Sequence, residues 1–205
     1  MTEKEKMVMG KIYDPTDMTL EKDRAVAHRL CMDYNNTYEE QEQKREDILE
    51  RLIPDRGEGV YLQGPIQFDY GYNTRIGKNT YANFNFTVLD ISTVTIGRDV
   101  FFGPNCSLLT PMHPFLPDER RIRYKEDGKA YDIEYSKPIF IGNDCWLGGN
   151  VTVCGGVTIG DGCVIGAGSV VTRDIPEGVL AAGNPCRVIR RITPQDSIYL
   201  KKELF

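Results

Sequence analysis

The chain has 205 residues, 40% of them hydrophobic, and its 25 Lys and Arg against 30 Asp and Glu give a formal net charge of −5. That acidic balance argues against a general nucleic-acid binder, which needs a basic surface. No segment approaches the roughly 18 apolar residues that span a bilayer, and the charged start Met1–Lys6, with no apolar stretch after it, does not read as a signal peptide.

Residues 1–56 are charged, helix-prone and poor in Gly. Ala27, Leu30, Cys31 and Tyr34 recur at helical spacing and predict one apolar stripe. His28 sits beside that stripe and reads as a structural or surface residue. Thr37 followed by Glu40 predicts a capping box for a second helix, which buries Ile48, Leu49, Leu52 and Ile53 and ends at Pro54 and Gly57. A small helical cap over residues 1–56 is therefore expected, ahead of a repeat region.

The repeat counts in sixes. It starts at Tyr70-Gly71 and Ile76-Gly77 and resumes at Ile96-Gly97 and Phe102-Gly103, with Leu108 after them. From Ile141 to Val171 it is unbroken: Ile141, Leu147, Val153, Ile159, Ile165 and Val171 each open a unit. The fifth positions are small or branched: Cys145, Val151, Val157, Cys163 and Ser169. A period of six fits neither a helix nor an alternating strand. It fits a solenoid whose coil has three flat sides, one unit per side. The first residue of each unit should point inward, and the fifth must be small enough to share that space. The frequent Gly at the second position predicts a bend there, at a corner that a side chain would crowd. An end coil exposes core atoms and open backbone groups, so the solenoid needs the helical cap.

The count breaks between Ile96 and Ile141. Residues 110–137 hold Pro111, Pro114, Pro117 and the run Asp118-Glu119-Arg120-Arg121 without any hexapeptide pattern. A long loop thrown out from a coil is expected, and such loops are usually functional. The solenoid is expected to run over 57–191, with a polar tail at 192–205. The six cysteines contain no Cys-x-x-Cys, and Cys106, Cys145 and Cys163 fall on small fifth positions, so they read as buried hydrophobes. Reduced cysteines point to the cytoplasm.

Chemistry is sought at the interruptions. His113 lies in Thr110-Pro111-Met112-His113-Pro114, where the flanking prolines fix the backbone. An imidazole held beside a cleft makes a general base near neutral pH. One His in the repeat region cannot supply a three-histidine zinc site, so no metal is expected. Asn83 and Asn85 stand among aromatics in Tyr81–Phe86. They read either as a ladder between coils or as an amide that orients a hydroxyl or an oxyanion. Arg187 and Arg190 follow Gly183-Asn184-Pro185. They either line a solvated face or grip phosphate groups.

Several segments together resemble one family: Thr2–Met7, Asp69-Tyr70-Gly71-Tyr72-Asn73, Ala82-Asn83-Phe84, Leu89-Asp90, His113-Pro114, Lys137-Pro138, Ile141-Gly142-Asn143, Trp146-Leu147-Gly148-Gly149 and Gly183-Asn184-Pro185. They resemble the maltose and galactoside O-acetyltransferases, hexapeptide enzymes dependent on acetyl-CoA, over nearly the whole chain. The resemblance implies a left-handed parallel β-helix with a helical cap, assembled as a homotrimer with each active site between two subunits. It implies His113 as general base, and Asn83 as the amide that touches the sugar hydroxyl and helps stabilise the transition state. Asp17 and Asp69 become acceptor residues. Asp69 follows the maltose type, where the galactoside type has a serine. Ile91 stands where the galactoside type has an acceptor-binding aspartate. Trp146, Gly149, Ala167, Thr172, Arg173, Arg187 and Arg190 correspond to contacts with acetyl-CoA. The stretch from His113 to Lys137 is longer than in the maltose type, which leaves the acceptor open. The expected activity is direct transfer of an acetyl group from acetyl-CoA to a sugar hydroxyl. The alternatives are a non-sugar or amino-sugar acceptor, and a non-catalytic solenoid that only binds partners.

Overall fold

Short parallel strands stack into three sheets that form the sides of a triangular prism in the computed structural model, which describes residues 1–204. The first sheet holds Asp55–Arg56, Thr74–Ile76, Val94–Ile96, Ile139–Ile141 and Thr158–Ile159. The second holds Tyr61–Leu62, Tyr81–Ala82, Phe101–Phe102, Trp146–Leu147, Val164–Ile165 and Val179–Ala182, and Arg187–Arg191 closes it as an antiparallel strand. The third holds Ile66–Phe68, Phe86–Leu89, Ser107–Leu109, Thr152–Cys154 and Val170–Val171. Each coil visits the three sheets in turn, so every pairing between coils is parallel. The chain is thus a hexapeptide-repeat β-helix. No helix among the described residues is long and apolar enough to cross a membrane.

The period of six follows from the width of the interior. Ile141, Leu147, Val153, Ile159, Ile165 and Val171 are completely buried, and the fifth-position Cys145, Val151, Val157, Cys163 and Ser169 are nearly so. All six cysteines are free thiols, and Cys106 also points inward. The bend, however, falls at the fourth position and not at the second. Asp144, Asn150, Gly156, Gly162 and Gly168 carry φ between 57° and 87°, the left-handed region that Asn, Asp and Gly adopt most easily. The second-position glycine answers a different need. A Cβ at Gly142 would stand 2.7 Å from the backbone nitrogen of Asp161 in the next coil. Stacked coils leave no room for a side chain there.

The Tyr70-Gly71 pair is not a repeat unit. The inward residue is Phe68, which pairs with Val88. A coil before the interruption advances from Ile76 to Ile96, whereas one after it advances only from Ile141 to Ile159. The extra residues all lie on one edge of the prism, between the third sheet and the first, at 69–73 and 89–93. In the third coil the same edge throws out residues 110–137. The excursion is a folded antiparallel arm rather than a plain loop. Pro111–Met112 pairs with Tyr135–Ser136, and Arg123–Tyr124 with Ala130–Tyr131. The Lys137 N–H donates to the Thr110 carbonyl at 3.0 Å and closes its base.

Three helices form the cap: α1 (Glu3–Val8), α2 (Met18–Asn35) and α3 (Glu42–Leu52). The first strand of the coil, Asp55–Arg56, already falls inside the stretch expected to be cap. The predicted stripe on α2 is buried. The Thr37 capping box does not form. The α3 helix starts after Gln41 with no side-chain cap, and the Thr37 hydroxyl instead donates to the Tyr34 carbonyl. The capping box falls on α1, between Thr2 and Glu5. Arg45 shows why the solenoid needs its lid. Its buried guanidinium donates to the Tyr34 hydroxyl and to the Leu62 and Gln63 carbonyls, at 2.7, 2.6 and 3.1 Å. It thereby satisfies backbone acceptors that the first coil would otherwise leave open.

Candidate active site

The widened edge gathers ionisable side chains from three separate segments. His113 follows the Pro111–Met112 strand at the root of the arm. Its Nδ1 lies 3.3 Å from Asp132 Oδ2 and 3.4 Å from the Ile133 carbonyl. Those acceptors favour the tautomer protonated at Nδ1, which leaves Nε2 with its lone pair facing outward. The ring is 44% exposed, so a reactant can reach it. Asp132 and Glu134 lie two apart just before the returning Tyr135–Ser136 strand, close enough for their charges to interact. The Tyr13 hydroxyl donates to Glu134 Oε2 at 2.5 Å. Burial pushes the Glu134 carboxyl above its ordinary pKa, against the opposing pull of Tyr13 and His113.

The cap supplies the opposite wall. Asp17, Glu21, Arg24 and His28 recur on one face of α2 or at its start. Arg24 donates to the Tyr70 hydroxyl at 2.8 Å and to the Pro15 carbonyl at 3.0 Å. His28 Nε2 stands 3.5 Å from Asp69 Oδ1. Burial raises the Asp69 pKa, and His28 and Arg24 oppose that rise. Asp17 caps α2, its carboxylate accepting from the Thr19 and Leu20 N–H groups. Ile91 packs in a satellite core with Met7, Tyr13, Leu20 and Tyr70. The arm is lashed to this wall: the Lys125 ammonium pairs with Asp14, and Lys129 donates to the Thr16 carbonyl and Glu21 at 2.7 and 3.0 Å.

The remaining expected residues lie elsewhere. Asn83 is on the edge between the second and third sheets. Its Oδ1 accepts from the Phe84 N–H at 2.7 Å, and its Nδ2 stays available as a donor. The ladder between coils is made by Asn85 and Asn105 instead, at 2.8 Å. Gly149 and Ala167 stack on this same edge, where the Gly168 N–H donates to the Gly149 carbonyl. Trp146 projects from the second sheet, 57% exposed. Arg187 and Arg190 are on the strand that closes that sheet, with Arg190 held in a fork by Asp196 at 2.8 and 2.6 Å. Thr172 and Arg173 follow Val170–Val171 and are exposed on the widened edge. Within one protomer the expected site is therefore split. His113, Asp17, Asp69, Thr172 and Arg173 lie along one edge. Asn83, Trp146, Gly149, Ala167, Arg187 and Arg190 lie along or beside another. The four-residue strand Phe86–Leu89 separates the two edges, a span of about 13 Å at 3.3 Å per residue.

Sequence reasoning alone does not single out Arg24, Asp132 and Glu134, and it reads His28 as a structural or surface residue. The helical spacing from Asp17 to His28 was the available signal for the cap residues. For the other two it was a pair of acids alternating beside Tyr135.

Comparison with known proteins matches both the cap and the coil. Residues 6–57 match a maltose acetyltransferase hexapeptide capping motif, and 138–173 match six bacterial transferase hexapeptides. Galactoside O-acetyltransferase of Escherichia coli is 40% identical over 97% of this chain and 94% of its own. The chain belongs to the maltose and galactoside O-acetyltransferase family. A solved maltose O-acetyltransferase of Clostridium difficile superposes with a TM-score of 0.86 at 44% identity, over 94% of this chain and 98% of that one. A galactoside acetyltransferase in complex with coenzyme A gives 0.87 at 40% identity, over 96% and 94%. This enzyme is accordingly an acetyltransferase of that family.

Proposed function

We propose that the enzyme transfers an acetyl group from acetyl-CoA directly to a hydroxyl of a sugar of maltose, glucose or galactoside type. His113 is the general base, and the observation that carries this role is its ring. Nδ1 is engaged by Asp132 and the Ile133 carbonyl, while Nε2 is open beside a wall of polar groups. Nε2 takes the proton of the acceptor hydroxyl as that oxygen bonds to the thioester carbonyl carbon. The carbonyl oxygen becomes an oxyanion that accepts from the Asn83 amide. The carbon–sulfur bond then breaks, and the thiolate of CoA takes the proton from Nε2. No covalent enzyme intermediate forms. Asp132 stabilises the imidazolium while it exists.

Asn83 and His113 act on one reacting centre only if two protomers meet, with the widened edge of one against the Asn83 edge of the next. A closed ring of three copies meets this need at every site. Asp69 and Asp17 then receive the sugar, Trp146, Gly149 and Ala167 wall the pantetheine, and Arg187, Arg190, Thr172 and Arg173 meet the rest of the donor. Replacing His113 with Ala should lower kcat by about 10²- to 10⁴-fold, with coenzyme A binding and assembly unchanged. Near-normal turnover by a folded His113→Ala enzyme would remove the assignment. An active species sedimenting as a 23.2 kDa monomer would remove the shared site.

A further inference from the structure

We infer that His28, together with Asp69, forms a two-point clamp for a neutral hydroxyl of the acceptor, so that His28 is a specificity-determining residue. This rests on the acceptor reading of the widened edge. The His28 ring stands 3.5 Å from Asp69 Oδ1 and is 52% exposed. Among the described residues the Asp69 carboxylate meets no side-chain hydrogen-bond donor other than the His28 ring, and its side chain is 20% exposed, so its oxygens keep lone pairs open to the space beside that ring. Arg24 is committed to the Tyr70 hydroxyl and the Pro15 carbonyl, and Glu134 to Tyr13. Beside these committed groups the pair keeps unspent hydrogen-bonding capacity.

The two groups have opposite roles. An ionised carboxylate only accepts, and an imidazole facing it through Nε2–H donates. A hydroxyl does both. Its oxygen can sit at about 2.8 Å from each of two atoms this far apart, donating to Asp69 and accepting from His28. An ammonium group has no lone pair for His28 and would meet it donor to donor. The clamp thus favours a neutral polyol or glycoside over an aminated sugar, and it reads a hydroxyl other than the one acetylated, since it stands on the cap wall and not on the His113 ring.

The test compares the wild type with His28→Ala and His28→Gln, using glucose, its monodeoxy analogues and glucosamine as acceptors with acetyl-CoA. His28→Ala should raise the glucose KM about three- to tenfold, the value of one hydrogen bond. It should leave kcat and the acetyl-CoA KM near their wild-type values. On one monodeoxy analogue the wild type and His28→Ala should have the same KM, because the hydroxyl that the clamp reads is gone. His28→Gln, which keeps a donor, should recover part of the lost affinity, and His28→Ala should narrow the preference for glucose over glucosamine. Equal losses on every analogue, or a fall in kcat with a lowered Tm, would show a merely structural residue and overturn the clamp. A wild type that binds coenzyme A but acetylates none of these sugars would instead overturn the acceptor reading, and the clamp with it.

Discussion

The stretch 141–171 and the widened edge of the prism are made from the same coil by opposite rules. In the first, every unit repeats the same few demands, and every residue answers a neighbour one coil away. Its inward side chains are interchangeable branched hydrophobes, and its turns reuse Asn, Asp or Gly with positive φ. On the widened edge the coils still bond to one another, as Asp90 does to Tyr70 and Thr74. The side chains that face the site take partners from the cap and the arm instead: Tyr13 with Glu134, His28 with Asp69, Arg24 with Tyr70. The regular part supplies stiffness. The irregular part supplies groups that differ from coil to coil, which a chemical site requires.

The strongest test of this contrast lies within the regular part. Gly142→Ala places a Cβ 2.2 Å from Asp161 Oδ1 and 2.7 Å from its backbone nitrogen. The carboxylate can swing away, but the backbone of the stacked coil cannot, and a loss of roughly 3 kcal/mol or more is expected. Gly162→Ala meets nothing within 4 Å and must only hold φ near +65°, at a cost of about 1 kcal/mol. Gly162→Asn should cost less still, because Asn150 already occupies the equivalent turn with φ 59°. Denaturant midpoints for the three variants should fall in that order. Equal destabilisation by Gly142→Ala and Gly162→Ala would mean that the close approach of coils does not set the glycine.

The same contrast explains what could be read from the sequence. The inward positions were legible because a narrow interior admits only a few residue types, and the count of six survives wherever the coil is regular. The second-position glycines were legible as necessary, but their cause was not, since it depends on the backbone of a different coil. Tyr70-Gly71 imitated a repeat unit only because the edge adds residues there. His113 stood out through its prolines and its rarity. Its partners Asp132 and Ile133 did not, because the arm's antiparallel return is fixed by pairing and not by any local period. His28 looked like surface because its partner, Asp69, is distant in sequence and only the cap's docking brings the two together.

A smaller effect is expected where the arm meets the cap. Lys125 and Lys129 hold the outer hairpin against Asp14, Thr16 and Glu21. Changing both to Ala should leave the solenoid's unfolding transition in place while exposing the arm to protease, because local opening draws on few buried contacts. The acceptor KM should rise while the acetyl-CoA KM holds, since the donor residues lie on the other edge or in the last coil. Loss of the whole fold would instead make the arm part of the solenoid's own cooperative unit.

The smallest effect, and the one most specific to the widened edge, concerns Asp90. Its carboxylate is fully buried and accepts from the Tyr70 N–H at 2.8 Å and the Thr74 hydroxyl at 2.9 Å. It thus pins one widened corner to the next. Burial raises its pKa to about 7, and those two donors only partly oppose the rise. A carboxyl whose pKa is higher folded than unfolded keeps its proton longer in the native state. Between about pH 4, the unfolded value, and pH 7 the native chain binds more protons, so stability falls as pH rises through that window. Asp90→Asn cannot ionise and lacks this slope at the position. Its Tm deficit against the wild type should therefore be largest near pH 4 and shrink toward pH 8. A deficit that stays constant would show that the buried carboxylate is ionised throughout, held by its donors more strongly than burial opposes them. The widened edge would then be pinned by charge and not by a shared proton.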